Sequence, residues 1–191
     1  MKKRTALIIV DVQPDFCEDG KLAVTGGNNV ARGVAQLLLK NPTMFDLVVT
    51  TQDWHMDPGS HFSDNPDFVD SWPAHCVAGT VGASLHPEIE GAIYNLHNTL
   101  SVKKGAYEAA YSGFEGVAED GRDLVGALRD NNITDLLLVG IATDHCVVAT
   151  ALHGVEEGFN VTVGSDLCAG VGAETSAAAI EQMRTAGCEI L

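Results

Sequence analysis

The sequence predicts an α/β fold, a three-layer sandwich in which a six-stranded, mostly parallel sheet is covered by helices on both faces. Three observations carry this expectation. Short apolar, β-branched runs alternate with segments of helical period from one end of the 191 residues to the other, the pattern of repeated strand–helix–strand units. The runs are continuously apolar, as in strands buried on both faces. With 46% apolar and 19% charged residues, the chain has the composition of a folded protein, and its length suits one medium domain with its own core.

In chain order, Ala6–Val10 is the first strand, and Gly26 and Gly27 read as a turn before the first long helix, Asn28–Leu39. Leu47–Thr51 and Asn98–Val102 are the next two strands. Between these two, Gln52–His86 has no clear period and is rich in Pro, Gly, Ser, His and Trp; long connections of this kind are often functional. A helix at Arg122–Asp130 leads to the strand Asp135–Val139, then a helix at His145–Glu157 to the strand Asn160–Val163, and a helix at Glu174–Ala186 to Glu189–Leu191. Gly158 and Gly187 stand just past the last two helices, where helix-stopping glycines belong. Right-handed crossovers then place helices on both faces of the sheet.

Charge and cysteine usage narrow the function classes. Eleven Lys and Arg against 26 Asp and Glu give a formal net charge of −15, which repels phosphate backbones and anionic membranes, so neither nucleic acid nor membrane is an expected partner. Two lysines and an arginine precede the apolar run Ala6–Val10, but that run is too short for a signal-peptide core or a membrane span; the expected location is the cytoplasm. Cys17, Cys76, Cys146, Cys168 and Cys188 form no C-x-x-C pair, which excludes a disulfide framework and a zinc ribbon.

Ligand sites of open parallel sheets lie beyond the carboxyl ends of the strands, and four of these ends carry chemistry. They are Asp11 in "IIVDVQPDF", Asp53, His55 and His61 in "TQDWHMDPGSH", Lys103 and Lys104 in "VKKGAY", and Cys146 in "GIATDHC". Cys146 falls in the first turn of its helix, where free amides and the helix dipole favour a thiolate, with Thr143 or Asp144 as the N-cap. Asp11 is placed to move protons for such a thiol, and a lysine would hold the two together. Adjacent strand residues face opposite sides, so only one of Lys103 and Lys104 can do this, and composition does not choose. Asp53 and His55, two apart, share a face of an extended segment; with His61, and with His75 returning in "SWPAHC", they suit one divalent ion, zinc, manganese or iron. Phe16, Trp54, Trp72 and Tyr111 lie near these motifs and could wall a flat ring.

Together the segments "ALIIVDVQPDFCEDGKLAVTGG", "DWHMDPGSHF", "SWPAHCVAGTVGA", "KKGAYEAAYSGFEG", "VGIATDHCVVATAL" and "LCAGV" resemble the nicotinamidase/pyrazinamidase group of the isochorismatase-like cysteine hydrolases over nearly the whole chain. The resemblance implies one such domain over residues 1–191 with a metal-binding loop region at about 52–86. It implies a catalytic triad of Asp11, Lys104 and Cys146, a metal held by Asp53, His55 and His75 with His61 as an additional ligand, and a ring pocket of Phe16, Trp72 and Tyr111. It also implies a cis peptide at Ile141–Ala142 and an oxyanion hole built from the amides of Ala142 and Cys146. The expected activity is hydrolysis of nicotinamide, and of pyrazinamide, through a cysteine thioester, in the salvage of pyridine nucleotides, with a small aromatic amide as substrate. Self-association into a homo-oligomer stays open. Two positions depart from the common pattern: Lys103 stands where an aromatic is frequent, and Pro14 where asparagine is. The competing readings are a related amidase for carbamoyl or ureido substrates, which would not need the metal loop, and a non-catalytic metal- or ligand-binding protein.

Overall fold

The computed structural model describes residues 3–191. Its sheet has seven strands in the order β4-β3-β2-β1-β5-β6-β7: β1 Thr5–Val10, β2 Leu47–Asp53, β3 Thr99–Lys104, β4 Val117–Ala118, β5 Asp135–Ile141, β6 Asn160–Ala169 and β7 Glu189–Ile190. The six expected strands are present and parallel to their neighbours. The seventh, β4, pairs antiparallel with β3 through Val102↔Ala118 and Lys103↔Val117. Two residues are too few to produce a period, so this edge strand corrects the expected count of six.

Helices α1 Gly27–Lys40 and α2 Pro87–Ile93 cover one face, and α3 Leu124–Asp130, α4 Val148–Glu156 and α5 Ala173–Ala186 the other. Alternation along the central strands feeds both sides. Ala6, Ile8 and Val10 of β1 pack with Leu124, Ala151 and Met183, while Leu7 and Ile9 pack with Val34, Leu38 and Ile89. Such two-sided burial is why these strands read as unbroken apolar runs. The short helix α2 has no counterpart among the expected helices: it buries only Ile89 and Ala92, and its start signal is Pro87 behind His86, whose Nδ1 accepts the Glu88 N–H at 3.2 Å.

The strands that build the site run longer than their apolar cores: β2 continues to Asp53, β3 to Lys104 and β5 to Ile141, so ladder hydrogen bonds fix these end residues. Gly140, at φ +130°, lies so close to β1 that a Cβ would meet the Val10 carbonyl oxygen at 2.1 Å; only glycine lets β5 and β1 approach there. After β5 the chain enters a π-helical turn, Thr143–Val147, which continues into α4.

Neither Thr143 nor Asp144 caps its own helix, contrary to the sequence expectation. Thr143 is buried. Asp144 reaches to the start of α5, whose N-cap Gly172 has no side chain to offer, and accepts the N–H groups of Val171 and Gly172 at 2.9 and 3.0 Å. Burial works against the charge of Asp144, but bonds from Thr175, Val171 and Gly172 outweigh it and lower its pKa. A carboxyl depressed by folding stabilises above its unfolded pKa and loses that contribution as pH falls through the folded value. Asp144→Asn is therefore expected to lower the melting temperature at pH 7 by about 2–4 °C, from a cap worth about 1 kcal/mol. Thermal melts across pH should show the gap to wild type closing in acid.

Candidate active site

Four strand ends meet at the carboxyl edge of the sheet. Asp11, directly after β1, takes a left-handed backbone at φ +46°, where aspartate is tolerated better than most residues. Its amide donates to Thr51 Oγ1 at 3.2 Å, and the Thr51 hydroxyl donates to Asp11 Oδ1 at 2.6 Å. Lys104 closes β3 with its side chain wholly buried. Its ammonium lies 2.9 Å from Asp11 Oδ2 and 3.6 Å from Cys146 Sγ, donates to the Ala110 carbonyl at 2.9 Å, and pairs with Asp53 Oδ1. Its neighbour Lys103 points the other way, over the Trp54 ring at 4.1 Å and toward Glu119 at 4.0 Å. That alternation settles which lysine enters the site.

Electrostatics in this cluster are a contest between burial and Lys104. Burial raises the Asp11 pKa, with Lys104 pulling against it. Burial likewise acts to raise Asp53, but Lys104 and bonds with His55 and His75 hold it well below the usual carboxylate range. Burial would lower Lys104, yet Asp11 and Asp53 more than reverse this, so it stays charged. The Cys146 pKa lies well above an ordinary thiol, driven first by burial, with Lys104 opposing and Asp11 and Asp53 adding to the rise. Burial thus works against the acidification that the helix start was expected to give this thiol. The acceptor is at hand, because Asp11 Oδ2 receives no well-directed hydrogen bond despite its ion pair.

The second cluster shares Asp53. Its Oδ2 lies 3.6 Å from His55 Nε2 and 3.8 Å from His75 Nε2, and one ring nitrogen from each of His55, His61 and His75 falls within 4.8 Å of the others. His55 Nδ1 and His75 Nδ1 donate to the Gly105 and Pro73 carbonyls at 2.6 and 2.8 Å, which directs both Nε2 lone pairs inward. Among the described residues, buried His55 Nε2 and His61 Nδ1 make no hydrogen bond within 3.5 Å. Burial, then repulsion from His55 and His75, pushes the His61 pKa down to about 4, so its ring is neutral near pH 7. Inward-facing imidazole nitrogens beside one carboxylate fit a divalent cation.

Both clusters border one apolar cavity, which also touches Phe16, Trp72, Tyr111, Ala142 and His145. Trp72 Nε1 donates to the Tyr111 hydroxyl at 3.1 Å, and Phe16 lies against His75 at 5.5 Å between ring centroids. Trp54 is not part of it; this ring packs against the core under α1 and α2, beneath Lys103. The Ile141–Ala142 peptide is cis, the Ala142 carbonyl accepts the His145 and Val147 N–H groups at 3.0 Å each, and among the described residues the Ala142 N–H has no hydrogen-bond partner.

The isochorismatase domain family matches residues 5–191. The chain belongs to the isochorismatase family. Within it, the chain is 50% identical over 186 residues to the nicotinamidase/pyrazinamidase of Mycobacterium tuberculosis, covering 97% of each chain. Its fold superposes on the pyrazinamidase of Pyrococcus horikoshii in complex with zinc with a TM-score of 0.82, at 32% identity over 98% of each chain. A protein of L. infantum in complex with nicotinate gives 0.83, at 31% identity over 99% of this chain and 92% of the other.

Three residues of this isochorismatase-family site escaped the sequence reading. Thr51 holds Asp11. Gln13 clamps Asp53, its amide donating to the Asp53 carbonyl at 2.9 Å and its oxygen accepting the Asp53 N–H at 2.8 Å. Gly105, at φ +72°, lets His55 approach, since a Cβ there would lie 2.7 Å from His55 Cε1. Two of them left a trace as motif letters without a role, Gln13 in D-x-Q and Gly105 in K-G-x-Y. Displacing His55 from its carbonyl partner is expected to weaken metal binding, so Gly105→Ala should lower zinc affinity about 10–100-fold, read by competition with a chelator.

Proposed function

We propose that this chain is an amidohydrolase that converts nicotinamide to nicotinate and ammonia, and pyrazinamide to pyrazinoate, through a thioester on Cys146. The observation that carries the reading is the buried set of Asp11, Lys104 and Cys146, whose Cys146 borders the same apolar cavity as Asp53, His61 and His75. The M. tuberculosis, P. horikoshii and L. infantum proteins support the substrate class.

The chemistry follows from the geometry. The Cys146 thiol passes its proton to the Asp11 carboxylate, and the sulfur attacks the amide carbon, forming the C–S bond. Negative charge on the amide oxygen is received by the N–H groups of Ala142 and Cys146. Collapse breaks the C–N bond as Asp11 returns the proton to nitrogen, and ammonia leaves. Water then attacks the thioester while Asp11 takes its proton; the C–S bond breaks, the thiol is restored and nicotinate departs. Lys104 stays charged throughout and offsets the charge that passes between Asp11 and Cys146.

Phe16, Trp72 and Tyr111 wall the ring. Asp53, His55, His61 and His75 would hold one divalent cation, zinc, manganese or iron. When bound, it supplies a Lewis-acidic anchor for the ring nitrogen. All five cysteines are free thiols, which suits the cytoplasm; among the described residues no helix is long and apolar enough to cross a membrane.

Cys146→Ala is expected to reduce ammonia release from nicotinamide to background, and substantial residual turnover would overturn the nucleophile. Thr51→Val keeps shape but removes the 2.6 Å bond to Asp11. A hydrogen bond to a charged group is worth about 1.5–3 kcal/mol, so kcat should fall about 10–100-fold with KM little changed.

A further inference from the structure

Two buried threonines stand behind the reacting groups, one on each side of Gly113. Thr51, on β2, holds Asp11: its hydroxyl accepts the Asp11 N–H and donates to the Asp11 carboxylate. Thr150, on α4 and fully buried, donates to the Cys146 carbonyl at 2.7 Å. Helical threonines often bond the carbonyl four residues back, and that bond alone would be a local habit. The same hydroxyl makes a second bond that is not local, accepting the Gly113 N–H at 2.9 Å from 37 residues away. Gly113 leaves no room for a side chain. A Cβ there would lie 2.8 Å from Thr51 Cγ2 and 3.6 Å from Thr150 Cγ2. Thr51 has little freedom to yield, because it is β-branched and bonded twice to Asp11. The segment around Gly113 is itself braced: the Glu115 carboxylate accepts the Tyr111 and Ser112 N–H groups at 3.0 and 2.7 Å, and the Ala110 carbonyl accepts from Lys104.

We propose that Thr150 is a positioning residue for the nucleophile, acting with Gly113 and Thr51 as a brace that sets how Cys146 faces Asp11. The proposal rests on the reading that these two groups exchange a proton. Continuous contact runs from Asp11 through Thr51, Gly113 and Thr150 to the Cys146 backbone, behind the site and across three separate segments of the chain. Thr150 does not border the substrate cavity, so its effect reaches the substrate only through the groups it holds.

The test is steady-state ammonia release from nicotinamide by the full-length protein supplied with zinc, measured well below the melting temperature of each variant. Thr150→Val keeps shape and removes both bonds. Its kcat should fall about tenfold with KM little changed, the mark of misplaced reacting groups rather than weakened binding. Thr150→Ser keeps the hydroxyl and should restore most of kcat. Gly113→Ala deletes no hydrogen bond but presses on Thr51, and its kcat should fall by a similar factor. Thr51→Val combined with Thr150→Val should cost less than the product of the two single losses, because both release the same pair of groups. Wild-type kcat in Thr150→Val, no recovery in Thr150→Ser, or single losses that simply multiply would overturn the brace and leave the nucleophile in place. Should Thr150→Val fail to fold, wild-type kcat in Gly113→Ala overturns it equally. An unmodified protein that releases no ammonia from nicotinamide would overturn the functional reading, and the brace with it.

Discussion

One buried ammonium holds this site together. Lys104 Nζ touches Asp11, Asp53, the Ala110 carbonyl and the Cys146 sulfur with no exposure of its side chain. Two carboxylates so placed would repel each other in a low-dielectric interior, and burial alone would protonate one of them. Lysine makes them compatible and divides their roles. Asp53 is held anionic and turned toward the histidines, while Asp11 stays proton-hungry next to a thiol. Removing one partner of a buried ion pair typically costs about 3–5 kcal/mol, so the cluster is an all-or-none unit in folding as well as in chemistry.

The sheet supplies what the ammonium requires. In the order β3-β2-β1-β5, the ends carrying Lys104, Asp53, Asp11 and the Ile141–Cys146 turn are consecutive neighbours, although the residues are spread over much of the chain. Asp53 and Lys104 are cross-strand partners in the β2–β3 ladder, and Gln13 bonds both backbone groups of Asp53 from the β1 side. Polar side chains thus extend the ladder one step past the last strand residues, into the region where the chemistry is done. The same logic repeats at Asp144, which ties the turn bearing Cys146 to α5.

What the sequence made legible follows the strength of each physical signal. Parallel strands buried on both faces announce themselves as unbroken apolar runs, so six strands and four helices were readable. The two-residue β4 and the seven-residue α2 carry too few buried apolar positions to do so. The triad and metal residues were readable as unusual residue types at strand ends, joined by resemblance into one set. Thr51, and the role of Gln13 beyond its place in D-x-Q, were not, because each acts only through a partner some 40 residues away. The burial that opposes ionisation of Cys146 was not legible for a related reason. A helix start is a local feature visible in the sequence, whereas burial, which dominates here, is created by the whole fold.

The paired lysines of β3 have a consequence for folding fidelity. Because side chains alternate, a slip of β3 by one residue against β2 would bring Lys103 to the inside and expel Lys104, leaving an ammonium in roughly the right place with every other partner wrong. Such a near-miss would be hard to reject on charge alone. Outside the site, Trp54 lies under Lys103 and Glu119 faces it across the β3–β4 edge. In the native register this outer contact holds Lys103 on the face away from the site and so favours Lys104 as the buried lysine.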